Sequence, residues 1–237
     1  MDAKQRAGYR AAEFVEDGMR VGLGTGTTAR WLVERLGERV RAEGLRVRCV
    51  PTSRRTEEQA RALGIPLVTL GEAGELDIAI DGADEVGPGL ALIKGGGGAL
   101  LREKLVAAAA RRFVVIADGS KRVGVLGRFP LPVEVVQFGW ELTARRVSGV
   151  VGVKPALRLG AGGTPFVTVN GNFILDCRCG VIRDPARSER GLKSLAGVVE
   201  SGLFVGMADS AVLADEEGVQ VIRNLESEIR DSEPPDA

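Results

Sequence analysis

Short apolar segments that alternate with helix-like segments are the feature of this sequence that most constrains its fold. Apolar runs lie at residues 20–23, 45–50, 65–69, 76–80 and 113–117. The last run, Phe-Val-Val-Ile-Ala, is almost continuously apolar, as is typical of a parallel strand covered on both faces. Strands that alternate with helices predict an α/β fold with an open, mostly parallel, Rossmann-like sheet and helices on both faces.

Helical spacing of apolar residues predicts the helices of this first part of the chain. They are expected at residues 2–17, 29–42, 53–63 and 99–110, with Thr52 or Ser53 as the cap of the third.

The pattern changes near the sequence Phe-Pro-Leu-Pro at residues 129–132. Several short strands separated by turns then predict a smaller α+β domain, inserted at residues 130–205, with a mainly antiparallel sheet. Its strands are expected at 133–136, 153–159, 166–169 and 173–177, and its helices at 140–150 and 184–195. Strands at 206–213 and 219–222 are expected to return to the first domain, which comprises residues 1–129 and 206–225. The charged residues 226–237 are predicted to fray.

Composition excludes several classes of function for the 237 residues. Lys plus Arg and Asp plus Glu both number 32, whereas a protein that binds duplex nucleic acid usually has a basic excess. No signal peptide or membrane span is evident, and three cysteines do not suggest a disulfide framework, so a cytoplasmic location is expected.

The chain contains no histidine, so acid–base chemistry must come from other side chains and a His-based triad is excluded. Cys177 and Cys179 lie in a predicted strand and would share a face. Cys49 is the only other cysteine, so the chain offers too few thiolate and imidazole ligands for a zinc site. Cys177 and Cys179 are therefore interpreted as packing residues, and no metal site is expected.

A glycine- and threonine-rich loop at residues 22–28, Gly-Leu-Gly-Thr-Gly-Thr-Thr, connects the first strand to a helix. Glycine permits close approach of the backbone, and the helix directs its first N–H groups and positive dipole end toward the loop, as suits a phosphate. The G-x-G-x-G spacing and Pro51 after the next strand fit a dinucleotide site poorly, and no Walker A lysine follows. A tight turn without a ligand remains the alternative.

A second cluster of polar residues begins where the apolar strand 76–80 ends. Asp81, Gly82, Ala83, Asp84 and Glu85 follow this strand directly. Ligands of open α/β sheets bind at the carboxyl ends of strands. Asp-Gly is also common in plain turns, where Asp84 or Glu85 would merely be solvated.

Lys94 and the run Gly95–Gly98 are harder to explain as structure alone. Each glycine costs roughly 0.5–1 kcal/mol relative to alanine in regular structure, so four in succession suggest unusual backbone angles or a ligand. Glu103 is expected in the first turn of the next helix, near the same loop, although a surface glutamate there would also be ordinary. Lys121 follows the strand 113–117 and could supply a second cation to an anionic ligand, or could simply be exposed.

Eight motifs in fixed order resemble the type A ribose-5-phosphate isomerase family over about residues 3–222. They are GLGTGTTA, TSRRT, DGADE, IKGGGGALLREK, IADGSK, LPVEVVQFG, NGNFILD and GLFVGMAD. The resemblance implies a cytoplasmic aldose-ketose isomerase of the pentose phosphate pathway that interconverts D-ribose 5-phosphate and D-ribulose 5-phosphate through a cis-enediolate. It implies neither a metal nor an organic cofactor, and a homodimer or homotetramer.

The resemblance also assigns roles to residues. Glu103 corresponds to the general base, and Lys94 would stabilise negative charge with the glycine loop. Asp81 would help proton transfer during ring opening, and Asp84 would move protons between O1 and O2 or orient Lys94. Lys4 corresponds only loosely to a phosphate-contacting lysine of some members. The substrate-binding residues implied are Thr25, Gly26, Thr27, Thr28, Gly82, Ala83, Gly95, Gly96, Gly97 and Lys121.

Three alternatives are weighed against this assignment. An amino-sugar-phosphate isomerase/deaminase typically relies on a histidine. A non-catalytic sugar-phosphate sensor would need a DNA-binding module and need not keep both aspartates, the lysine and the glutamate. An inactive α/β domain would leave the glycine run unexplained.

Overall fold

The computed structural model of the protein describes residues 1–224. The predicted tail at residues 226–237 lies outside the described residues. The helices are α1 (Ala3–Ala12), α2 (Ala29–Ala42), α3 (Arg54–Ala62), α4 (Leu70–Ala73), α5 (Leu100–Ala108), α6 (Trp140–Val151) and α7 (Pro185–Lys193). The strands are β1 (Arg20–Leu23), β2 (Arg48–Pro51), β3 (Ile78–Gly82), β4 (Glu85–Val86), β5 (Leu92–Ile93), β6 (Phe113–Asp118), β7 (Leu131–Val135), β8 (Ala156–Leu157), β9 (Phe173–Cys177), β10 (Val198–Ser201), β11 (Leu203–Phe204), β12 (Ser210–Ala214) and β13 (Val219–Arg223).

The largest sheet has the strand order β13-β12-β6-β3-β1-β2. Its strands are parallel from β12 to β2, and only β13, at the edge, is antiparallel to its neighbour. The predicted α/β class with a mostly parallel sheet is confirmed. Parallel pairing brings the carboxyl ends of β1, β3 and β6 to one edge, and this edge carries the site.

Both faces of the largest sheet are buried, because side chains of alternate residues point to opposite faces. Val114 and Ile116 of β6 pack into the core that contains the apolar residues of α1 and α2. Phe113 and Val115 pack into the core on the other face, together with Val106 of α5. The near-continuous apolar run of β6 therefore reflects burial on both sides.

Two smaller antiparallel sheets complete the fold. One has the order β10-β7-β9-β8, and all its strands fall within residues 131–201. The other has the order β11-β5-β4, so β11, which falls within the predicted insertion, pairs with a strand of the first part of the chain. The division into two domains stays a prediction.

Two predicted strands are absent as regular strands. Residues 65–69 make only a single bridge, Leu67 with Cys49, because Pro66 has no N–H to donate and Thr69 already caps α4. Residues 166–169 likewise make one bridge, Val167 with Phe173, before the chain turns at residues 169–171.

Other predicted elements differ in length. α1 ends at Ala12, not at residue 17, since the chain turns there and Gly18 has a φ of 85°. The predicted strand 153–159 is reduced to Ala156–Leu157. Cys179 lies beyond the end of β9, so it does not share a strand with Cys177. No helix among residues 1–224 is long and apolar enough to cross a membrane.

Candidate active site

A cavity of about 110 Å³ lies at the carboxyl edge of the largest sheet. The loops that follow β1, β3 and β6 reach it, as does the connection from β5 to α5. The residues that line it are Thr25, Gly26, Thr27, Thr28, Gly82, Ala83, Asp84, Lys94, Gly95, Gly96, Gly97, Glu103 and Lys121. The structure thus brings together in one cavity every predicted site residue except Asp81, which is buried and does not line the cavity.

Lys94 is a cation held almost entirely out of water, at 1% exposure. Its Nζ lies 3.0 Å from Oδ2 of Asp81 and 3.2 Å from Oε1 of Glu103, and it also donates to the carbonyl oxygen of Gly82. Burial alone would lower the pKa of Lys94, but the charges of Asp81 and Glu103 outweigh it and raise that pKa. Lys94 is therefore held as an ammonium that donates to Gly82 O and Glu103 Oε1 and forms an ion pair with Asp81.

Glu103 lies in the first turn of α5 and is buried, at 6% exposure. Burial raises the pKa of this carboxyl to about 8, against the opposing effect of the Lys94 ammonium and with a further increase from the charge of Asp81. Its Oε2 atom has no hydrogen-bond partner within residues 1–224. Glu103 thus combines a pKa near neutrality with an unoccupied oxygen beside the cavity, as a general base requires.

Asp81 uses both carboxylate oxygens inside the protein. Oδ1 accepts the N–H groups of Thr25 (2.8 Å) and Gly82 (2.7 Å), and Oδ2 pairs with Lys94. The residue is 3% exposed. A Cβ at Gly24 would lie 2.1 Å from Oδ1, so only glycine lets the loop after β1 pass this close to the carboxylate. Asp81 therefore links this loop to Lys94.

Asp84 faces the cavity and supports the glycine loop. Its Oδ2 accepts the N–H of Gly96 at 2.7 Å. A Cβ at Gly96 would lie 2.7 Å from Oδ1 of Asp84 and 2.9 Å from Cζ of Phe129. Gly95 and Gly98 have φ values of 101° and 80°, which side chains rarely tolerate. The glycine run is thus needed both for its backbone angles and for close packing.

Two hydroxyls missed by the sequence-based site prediction orient Thr25. Its Oγ1 lies 2.7 Å from Oγ1 of Thr52 and 3.3 Å from Oγ1 of Thr56. Thr52 and Thr56 donate to the carbonyl oxygens of Leu23 and Gly24, respectively. Both threonines belong to the motif TSRRT, which was the available signal, and Ser53 caps α3 as predicted, accepting the N–H of Thr56.

Three other conspicuous residues lie outside the cavity. Glu85 is buried and accepts the N–H groups of Gly127 (2.7 Å) and Phe129 (2.6 Å), so it holds a loop. Lys4 lies in α1 and is not among the lining residues. Cys177 is buried among apolar side chains, and no cluster of three or more possible metal ligands occurs in the described part of the chain.

Comparison with known proteins identifies relatives along nearly the whole chain. The family model of ribose 5-phosphate isomerase A (phosphoriboisomerase A) matches residues 48–218. The chain is 54% identical to the ribose-5-phosphate isomerase A of Synechococcus sp. (strain JA-3-3Ab), over 94% of this chain and 97% of that protein. It is 51% identical to the protein of the same name from Cereibacter sphaeroides (strain KD131), over 95% and 88%.

Solved structures show the same fold. Ribose 5-phosphate isomerase A from Methanocaldococcus jannaschii superposes with a TM-score of 0.89 at 41% identity, over 93% of this chain and 98% of that one. A D-ribose-5-phosphate isomerase in complex with phospho-erythronic acid superposes with a TM-score of 0.90 at 37% identity, over 93% and 97%.

Proposed function

Since the chain belongs to the ribose 5-phosphate isomerase A family and interconverts ribose 5-phosphate and ribulose 5-phosphate, we propose that Glu103 is the base that moves the proton in this reaction. The observation that carries the proposal is the buried Glu103 carboxyl beside the cavity, with one oxygen on Lys94 and the other without a hydrogen-bond partner in the described part of the chain. As a carboxylate, Glu103 removes the proton from C2 of the open-chain aldose. It returns a proton to C1 of the resulting cis-enediolate.

Lys94 would respond to the protonation of Glu103. While Glu103 is ionised, Lys94 donates to Gly82 O and Glu103 Oε1, and its Nζ lies 3.0 Å from Oδ2 of Asp81. When Glu103 takes the C2 proton, its carboxyl becomes neutral and holds Lys94 less strongly. One N–H of Lys94 then becomes available to the negative oxygen that develops on the substrate, so the stabilising interaction strengthens where the charge appears.

Asp84 is better placed than Asp81 to move protons between the substrate oxygens O1 and O2. Asp84 lines the cavity and uses Oδ2 for the Gly96 N–H. Asp81 does not line the cavity; its Oδ1 accepts two backbone N–H groups and its Oδ2 is in an ion pair with Lys94. We therefore assign proton shuttling to Asp84 and positioning of Lys94 and Thr25 to Asp81, although the resemblance alone suggests that Asp81 assists ring opening.

The phosphate of the substrate would bind at the start of α2. Thr28 precedes this helix of 14 residues and makes no side-chain capping bond. Thr28 lines the cavity together with Thr27 and Lys121, so the positive dipole end of α2 lies beside it. A helix N-terminus with a neighbouring ammonium suits a phosphate dianion.

Thr25 would bind a sugar hydroxyl and not the phosphate. Thr52 and Thr56 each spend their single hydroxyl hydrogen on a backbone carbonyl, Leu23 O and Gly24 O. The hydrogen in the 2.7 Å contact between Thr25 and Thr52 must then come from Thr25. Thr25 Oγ1 is left as an acceptor, which a substrate hydroxyl can satisfy and an ionised phosphate cannot.

Deuterium incorporation tests the base. Incubation of ribose 5-phosphate with the enzyme in D₂O should place deuterium at C1 of ribulose 5-phosphate, observed by proton NMR. Glu103→Gln should lower both exchange and turnover about 10²–10⁴-fold, the usual contribution of a general base. Prolonged turnover without incorporation would refute the enediolate, and exchange at the wild-type rate in the variant would refute the role of Glu103.

A homodimer or homotetramer and a cytoplasmic location stay predictions. In α6 and just before it, Leu142 and Phe138 are 48% and 95% exposed, which supports a subunit contact there. In the segment 192–204, by contrast, Leu192, Leu203 and Phe204 are fully buried and cannot contribute to such a contact. Sedimentation equilibrium of the wild type and of Phe138→Ser would test the contact, and a monomeric wild type would refute it.

A further inference from the structure

Arg158 contacts the glycine loop on its outer side and takes no part in the proton transfers proposed for the reaction. We propose that Arg158, held by Asp176, is a positioning residue that aims the N–H groups of the glycine loop at the substrate oxygens. The proposal rests on the function proposed above, since the direction of these N–H groups affects catalysis only if negative charge develops in the cavity.

The guanidinium of Arg158 donates hydrogen bonds both to the Asp176 carboxylate and to the glycine loop. Nε and Nη2 donate to the two oxygens of Asp176, at 2.9 and 2.5 Å. Nη1 donates to the carbonyl oxygens of Gly95 (3.0 Å) and Gly96 (3.2 Å). The two side chains are only 15% and 25% exposed. The planar guanidinium is thus fixed by the carboxylate and in turn fixes two consecutive peptides.

Fixing the two carbonyls also fixes the following N–H groups. In a trans peptide the C=O and the N–H point in opposite directions. With Gly95 O directed at Arg158, the Gly96 N–H points to Asp84, which accepts it at 2.7 Å. With Gly96 O directed at Arg158, the Gly97 N–H points away from Arg158. Gly97 lines the cavity, and its N–H has no acceptor among residues 1–224.

The surface that carries Arg158 supports the rest of the loop. Arg158 follows β8 and pairs with the backbone of Ile174 in β9, so Arg158, Ile174 and Asp176 share one face of the smaller sheet. A Cβ at Gly98 would lie 2.5 Å from Cζ of Phe166 and 3.7 Å from Cδ1 of Ile174. This face packs directly on the loop, so little space is left for the loop to take another conformation.

The Arg158 guanidinium acts from the side of the loop opposite the reacting atoms. Loss of Arg158 would not remove a hydrogen-bond donor from the cavity. It would let the Gly97 N–H turn away from the substrate oxygen to which it donates. Misplacement of a reacting group or donor by about 1 Å costs up to about 100-fold in rate. The loss should appear in kcat, because the donor interacts most strongly with the charged intermediate.

The test compares Arg158→Met with a matched control, Arg20→Met. Arg20 also pairs with an aspartate, Asp77, and donates to the carbonyl oxygen of Ala73. The side chains of Arg20 and Asp77 are each 26% exposed. Arg20 starts β1, however, and so lies at the opposite edge of the sheet from the cavity. Steady-state kinetics on ribose 5-phosphate and inhibition by phospho-erythronic acid are measured. This acid's carboxylate carries negative charge as the enediolate does.

Arg158→Met should lower kcat about 10–100-fold with KM changed less than about threefold, and should weaken the inhibitor by about the factor lost in kcat/KM. Arg20→Met should change none of these by more than about twofold. Arg158→Lys keeps the charge but cannot bridge Asp176 and both carbonyls, so it should recover only part of kcat. Asp176→Asn should show a smaller loss in the same direction.

Three results would overturn the proposal. They are equal activity of Arg158→Met and Arg20→Met, a loss confined to KM, and full activity of Arg158→Lys, which would mean that charge alone matters. If Arg158→Met does not fold, Arg158→Lys decides by the same criteria. Failure of the base assignment is recognised separately, because it appears as turnover in Glu103→Gln, whereas inhibitor affinity depends on the loop and requires no proton transfer.

Discussion

The pH dependence of Glu103 provides the sharpest test of the proposed mechanism. Burial raises the pKa of its carboxyl to about 8, from an ordinary value of 4.5. A group with that pKa is only about one-tenth ionised at pH 7 and about one-hundredth at pH 6. Because only the carboxylate can remove the C2 proton, kcat/KM should rise about tenfold per pH unit below 8 and level off above it.

The same pKa predicts how stability changes with pH. Between pH 4.5 and 8, Glu103 is protonated in the folded state and ionised in the unfolded state. The folded state then binds the extra proton, so the free energy of unfolding falls as pH rises, by about 1.4 kcal/mol per unit. This contribution is fully present below pH 4.5 and is lost as pH rises through 8.

Glu103→Gln is neutral at every pH and should lose this dependence. Relative to wild type, the variant should become more stable with each unit of pH between 5 and 8, while its activity is about 10²–10⁴-fold lower. Urea unfolding of both proteins from pH 5 to 9, together with kcat/KM over the same range, measures the two effects.

A matched control separates this effect from ordinary surface titration. Glu57 also lies in the first turn of a helix, α3, but its side chain is 36% exposed. Glu57→Gln should keep the wild-type pH profile and the wild-type slope of stability. An acidic limb of kcat/KM centred below about pH 6, or unfolding free energies of wild type and Glu103→Gln that run parallel, would refute the reasoning.

Three further substitutions test the surroundings of the site. Lys94→Met should lower the free energy of unfolding by about 3–5 kcal/mol at pH 8, where it leaves buried carboxylates unpaired, and less at pH 5; parallel loss at both values in urea unfolding would contradict this. Gly96→Ala places a Cβ 2.7 Å from a carboxylate oxygen and should lower kcat/KM about 10–100-fold, whereas Gly71→Ala, with open space around it, should not. Lys104→Met removes ion pairs of 2.9 Å to Glu189 and 2.8 Å to Glu200, and Lys104 and Glu200 are both buried. The variant should lower the free energy of unfolding, measured with urea, by about 3–5 kcal/mol and leave KM unchanged. A raised KM would mean that Lys104 also shapes the site.

Long elements with regular spacing could be predicted from the sequence, and two-residue strands could not. The bounds of α2 and β9 agree with the prediction, because a 14-residue amphipathic pattern and a five-residue apolar run have enough repeats to identify their period. β4, β5 and β11 have two residues each, and their pairing depends on partners far along the chain. No local pattern specifies such pairing.

The position of the site could be predicted because chemistry and topology agree. Glycine loops and acidic turns after predicted parallel strands must meet at one edge of the sheet. What could not be predicted is which residues support the site indirectly, by holding the residues that line the cavity. Thr52, Thr56 and Arg158 contact the site only through hydroxyls or backbone carbonyls, and their partners lie about 30 to 60 residues away in the chain.

The charges around Glu103 favour a substrate phosphate that binds at a distance from this carboxyl, as proposed above. Burial raises the pKa of Glu103, the Lys94 ammonium opposes that rise, and the charges of Asp81 and Asp84 add to it. A phosphate dianion placed beside this group would raise that pKa further and remove the base from use. At the phosphate site proposed above, the N-terminus of α2 and the Lys121 ammonium would offset the phosphate charge. A phosphate bound there would therefore leave Glu103 able to ionise while the substrate is present.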